Sequence, residues 1–74
     1  MNINEQFGAR LRQLRKAKNW SLLELSMRSD INHNYLSDLE NGRRNPTLMV
    51  LQRLTNAFDI TLSSLFLGIE LISE

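Results

Sequence analysis

SLLELSMRSDINHNYLSDLENG, residues 21–42, reads as two short helices joined by a tight turn, the second opening on small polar side chains. Ser21 followed by Glu24 is a capping box: the hydroxyl accepts from the third N–H of the helix and the carboxylate reaches back. Trp20 before the cap and Leu25 after it suit a hydrophobic staple. The pattern recurs. Asn32 is a cap between Ile31 and Leu36, and Thr61 a cap between Ile60 and Leu65. Thr47 follows Pro46, with Leu51 in the staple position. Four helix starts marked by one mechanism carry more weight than a single capping pair, which arises easily by chance.

Working outward, Phe7, Leu11, Leu14 and Ala17 form a helical stripe in a first helix from about Asn4 to Lys18. Asn19 ends it in a left-handed conformation. The second helix runs to about Arg28 and should bury Leu22 or Leu23, Leu25 and Ser26. Ser29, Asp30 and Ile31 make the turn. The third helix should bury Leu36 and Leu39 and end at Asn41-Gly42, where glycine accepts a positive φ. Asn45 precedes proline and is driven extended. The fourth helix ends near Phe58, with Leu51, Leu54 and Phe58 on its core face, Leu48 and Val50 flanking, and Met49 turned away. The fifth buries Leu65 and Phe66 and stops before Gly68. No strand pattern, repeat or low-complexity linker interrupts this order before residue 68. The expectation is an all-α, compact five-helix domain spanning residues 1–74.

Composition narrows the function. A chain of 74 residues has a modest core, so oligomerisation is expected. There is no cysteine, hence no disulfide framework, and the single His33 offers no zinc set. The start of the chain lacks an apolar signal core and no run reaches membrane-spanning length, which points to a cytoplasmic protein without membrane contact. No Gly-rich phosphate loop, metal cluster or nucleophile beside a base is present, so neither an enzyme, a cofactor nor a small-molecule ligand is expected. Net charge is only +1, but it is uneven: eight of the nine basic residues precede Asn45, against five of the eight acidic ones. Solvated helix faces account for that as well as one DNA-facing side does.

FGARLRQLRKAKNWS, LSMRSDINHNYLSDLENG, RRNPTLMVLQRLTNAF and DITLSSLF, in this order and spacing, resemble the Cro/repressor-like (Xre-type) helix-turn-helix family over about Phe7 to Phe66. YLSDLENGRRNPTL also looks like the corresponding stretch of restriction–modification controller proteins. The resemblance implies a lambda-repressor-like domain whose second and third helices form the helix-turn-helix. It departs at Leu22, where the family usually has Gln against a phosphate, leaving that contact to backbone N–H groups. It departs again at Asp30, where the family favours Gly; Asp tolerates a left-handed backbone better than most residues.

His33, Asn34 and Asp38 point outward because Leu36 and Leu39 fix the opposite face inward. Taken alone, these residues also describe an ordinary polar helix start; in the family's pattern, their positions read bases. Asn34 can bond adenine in a bidentate way, His33 can donate to guanine or thymine, and Asp38 can accept from a cytosine amine. Tyr35 can reach a phosphate or a thymine methyl, or pack at the helix edge. Ser37, Asn41, Arg43, Arg44 and Asn45 are candidates for the phosphate backbone, and Arg12, Lys16 and Arg28 are weaker ones. By the resemblance, Arg15 and Glu40 form a partly buried structural ion pair joining the first and third helices.

The resemblance implies a homodimeric, sequence-specific transcription regulator on double-stranded DNA with a pseudo-palindromic operator, as in restriction–modification control. The alternatives are a phage-type repressor, or an antitoxin or antirepressor whose main partner is a protein. Leu67, Ile69, Leu71 and Ile72 are more apolar than a free end should be, so residues 67–74 are expected to act as a dimerisation tail. The competing arrangement folds that tail back on the first helix.

Overall fold

Each helix begins at a side chain that accepts one of its unpaired N–H groups. Asn2, Ser21, Thr47 and Thr61 accept from the third residue of their helices, and Asn32 from Asn34 and Tyr35. In the computed structural model, which describes residues 1–69, these caps open α1 (Ile3–Ala17), α2 (Leu22–Ser29), α3 (His33–Glu40), α4 (Leu48–Phe58) and α5 (Leu62–Leu65). No strand occurs among the described residues. The reciprocal capping box forms at Asn2 and Glu5. At Ser21 only half of the expected box forms, because Glu24 turns its carboxylate to Arg28 (2.9 Å) instead of reaching back.

The helix ends share one solution. Asn19, Asp30 and Asp59 take left-handed φ values of 60°, 57° and 55°. Trp20 N–H then closes on the Arg15 carbonyl and Ile60 N–H on that of Thr55, each five residues back. α3 ends the same way, with Arg43 N–H on the Asp38 carbonyl and Gly42 at φ 74°.

The core gathers Phe7 and Leu11 from α1, Leu25 from α2, Ile31 from the turn, Leu36 and Leu39 from α3, Leu51, Leu54 and Phe58 from α4, and Leu65 from α5. α3 packs between α1 and α2, α2 also packs on α4, and α4 carries α5. Fully buried leucines such as Leu36 and Leu39 each contribute about 1.5–3 kcal/mol of transfer free energy. They hold α3 by its inner face.

Several side chains sit differently from the sequence reading. Leu14 packs half-buried against the core and so does Leu22, of the two alternatives Leu22 and Leu23, while Leu23 is exposed. Ser26 is half-buried where burial was expected, and Leu25 and Ser29 carry the inner face of α2. Ser29 is buried because its hydroxyl donates to the Leu25 carbonyl at 2.7 Å. Phe66 is exposed and leans on Phe7, ring centroids 5.7 Å apart, instead of entering the core: α5 is one turn long and only Leu65 faces inward. Of the expected tail, Leu67 is 68% exposed, whereas Ile69 packs half-buried against the core of its own chain. Leu71 and Ile72 lie outside the described residues.

Candidate nucleic-acid interface

The turn between α2 and α3 is tied from three sides. Ser26 Oγ donates to the Ile31 carbonyl at 2.5 Å, and Arg53 of α4 donates to the Asp30 carbonyl at 3.0 Å. Asn32 Oδ1 accepts from the Asn34 and Tyr35 N–H groups at 2.8 and 3.2 Å. With Ile31 buried beneath them, these bonds fix the angle at which α3 leaves α2. Neither Ser26 nor Arg53 was assigned this role from the sequence, because each acts on a carbonyl that only the folded turn brings near.

α3 is also held at its far end. Arg15 is a fork on Glu40, with Nε–Oε2 at 2.6 Å and Nη2–Oε1 at 3.0 Å, and its Nη1 donates to the Trp20 carbonyl at 2.8 Å. The two side chains are only 11% and 6% exposed. The hydrogen bond to Glu40 raises the Arg15 pKa; desolvation opposes it and the carboxylate's charge adds to it. Beside this pair, Gly8 of α1 lies against the carbonyls of Leu39 and Glu40 so closely that a Cβ there would sit 2.6 Å from the Glu40 oxygen.

On the outer face of α3, His33 and Asn34 are exposed in the first turn and their side chains are not engaged with other described residues. Tyr35, Ser37 and Asp38 are half-buried. Asp38 is engaged: its Oδ2 accepts from Arg44 Nε at 3.1 Å, and its Oδ1 faces Arg43 Nη1 at 3.8 Å. The Arg44 guanidinium lies over the Tyr35 ring, 5.1 Å from its centroid, and Tyr35 Oη donates to the Asn45 carbonyl at 3.4 Å. Asn41 turns its amide back to the Ser37 carbonyl at 2.8 Å. Arg28 lies apart from this group, over the Trp20 ring at 4.4 Å from the centroid and bonded to Glu24.

The structure thus gathers Tyr35, Asp38, Arg43, Arg44 and Asn45 at one edge of α3, next to the open side chains of His33 and Asn34. No sequence signal announces the arginine–aspartate–tyrosine cluster, because the loop after α3 has no period from which its return could be read. Fold and surface together define a helix-turn-helix DNA-binding domain.

The helix-turn-helix family profile matches residues 11–65, and the chain belongs to that family of DNA-binding transcription regulators. It is 39% identical over 70 residues to the control protein C.MunI of Mycoplasma sp, covering 93% of this chain and 95% of that one. It is 40% identical to the transcriptional regulator DdrOP3 of Deinococcus deserti, covering 88% of this chain but only 50% of that protein. Among solved structures it resembles the restriction–modification controller protein C.AhdI of Aeromonas hydrophila, with a TM-score of 0.82 and 38% identity over 85% of this chain and 96% of that one. No helix among the described residues is long and apolar enough to cross a membrane.

Proposed function

We propose that this protein is a homodimeric, sequence-specific regulator of the restriction–modification controller type, reading a pseudo-palindromic operator with α3. The observation that carries the reading is the outer face of α3. Two polar side chains that can pair with base edges stand open in its first turn, flanked by two exposed arginines, on a helix whose position is fixed at both ends. A helix entering the major groove presents its N-terminal residues to base edges, while cations at its margin meet the phosphates. Similarity to C.MunI and C.AhdI supports the controller assignment.

In this reading His33 and Asn34 contact bases and Tyr35 stands beside them. Arg43 and Arg44 meet the phosphate backbone, with Ser37, Asn41 and Asn45 at its margin and Arg28 further along the strand. Selection of bound sequences from random duplexes tests the function directly, and recovery of a pseudo-palindrome is the expected result. On the recovered site, Asn34→Ala should cost about 1–3 kcal/mol and relax preference at one base pair. Equal losses on selected and scrambled duplexes would move Asn34 to the backbone.

The dimer is assigned to the apolar surface around α5. Leu62, Phe66 and Leu67 are exposed there, at 48%, 36% and 68%. They leave more hydrocarbon in water than so short a helix can cover. Ile69 is spent on its own core, so Leu67 is the residue to test. Leu67→Glu should shift the protein towards monomer and weaken binding to the full site by about tenfold or more, while half-site binding barely changes, because the second half-site then loses its tether. Sedimentation showing the variant still dimeric at low micromolar concentration would place the interface elsewhere.

A further inference from the structure

Asp38 stands on the side of α3 that faces DNA in the proposed complex, where a carboxylate repels phosphate. It is paired before DNA arrives. Arg44 is held at two points, Nε on Asp38 at 3.1 Å and its guanidinium face over Tyr35, and the carbonyl of the next residue, Asn45, accepts from Tyr35 Oη. Tyr35 and Asp38 are three residues apart on α3 and therefore neighbours on one face. Between them they bind the loop to the helix.

We propose that Asp38 is a positioning residue that sets specificity, tying Arg43 and Arg44 to α3 so that they reach phosphates only when α3 is seated in its groove. The proposal rests on the DNA-reading assignment above and refines it. Of the donors on Arg44, only Nε is committed to Asp38; both Nη groups remain for a phosphate, on a side chain 53% exposed. Held this way, the fork has a fixed offset from His33 and Asn34. A duplex on which α3 does not seat meets the Asp38 charge, and gains the arginines only by drawing them off it. Exposed ion pairs of this kind shift an equilibrium by about 1.4- to 5-fold each, so two together weigh against unseated DNA by about two- to 25-fold. Base reading by Asp38 itself is the competing role, and it needs no arginine.

The test compares wild type, Asp38→Asn, the Arg43→Ala/Arg44→Ala double variant and the triple variant. Each is titrated with the selected duplex and with a scrambled duplex over a salt series. Asp38→Asn should bind the scrambled duplex about two- to 25-fold more tightly, with a log–log salt slope steeper by about 0.9 for each phosphate newly contacted. The ratio of selected to scrambled affinity should fall accordingly. In the background lacking both arginines, Asp38→Asn should leave the ratio unchanged. In the DNA-free protein, exchange of the Arg44 Nε proton with water, followed by NMR, should speed up in Asp38→Asn.

An unchanged ratio overturns the proposal. So does a ratio that falls as far without the arginines as with them, which would make Asp38 a reader of a base. An unchanged Nε exchange rate removes the tie itself. If selection recovers no duplex, the DNA-reading assignment fails and takes this role with it, while the exchange measurement still reports whether the tie exists.

Discussion

Glu40→Ala is expected to destabilise the domain by about 3–5 kcal/mol, because it leaves the Arg15 guanidinium enclosed without its carboxylate. The side chains are 11% and 6% exposed, so water cannot replace the lost partner freely. Arg15 also gives up two of its three hydrogen bonds and keeps only that to the Trp20 carbonyl. For a domain of this size the loss corresponds to a fall in Tm of roughly 12 °C or more. Because the pair raises the Arg15 pKa, the arginine's own contribution is complete below its unfolded value and is lost as pH rises through the folded one. The Arg15 contribution is therefore intact throughout the neutral range. Thermal melts of Glu40→Ala and of the Arg15→Met, Glu40→Leu pair separate the cost of stranding a charge from the net worth of the bridge. The apolar pair should recover much of the loss. A Glu40→Ala protein as stable as wild type would mean that the site opens to solvent.

Gly8→Ala is the second large effect, with an expected net loss of roughly 3 kcal/mol. At an ordinary mid-helix site the same change stabilises by about 0.5–1 kcal/mol. Here the new methyl would press on the carbonyls of Leu39 and Glu40, and would sit 2.9 Å from the Glu40 carbonyl carbon. These are backbone atoms of the last turn of α3, which no rotamer change can move aside. α1 and α3 must separate, and that loosens the Arg15–Glu40 fork between the same two helices. Urea titration is the direct measurement. A midpoint equal to or above that of wild type would show that the helices can part at little cost.

The caps at Ser21, Asn32, Thr47 and Thr61 were legible in the sequence because each depends on residues within one turn of itself. Leu11, Leu25, Leu36, Leu39, Leu51 and Leu54 were legible because their spacing alone sets the inner face. The left-handed ends at Asn19 and Asp30 follow from residue type and position. What escaped was contact between segments distant along the chain. Gly8 looks like any weak point in a helix until α3 is laid across it. Phe66 has the spacing of a core residue, yet α5 is too short to turn it inward. Trp20 was expected to staple to Leu25; its stack on Phe58 at 5.3 Å and 18°, a partner 38 positions later, had no local signal. In the candidate interface, the open positions of His33 and Asn34 could be read from the period of α3. The engagement of Asp38 with Arg43 and Arg44 could not, since it depends on how an aperiodic loop returns.

The stack of Trp20 on Phe58 gives the chain an optical reporter of its own. Trp20 is the only tryptophan. It lies where the end of α1, the start of α2 and the end of α4 meet, with the Arg28 guanidinium over its ring. Its emission therefore registers the joint that aims α3, and does so without a label. A variant whose backbone remains helical while this emission shifts has kept its helices and lost their mutual aim.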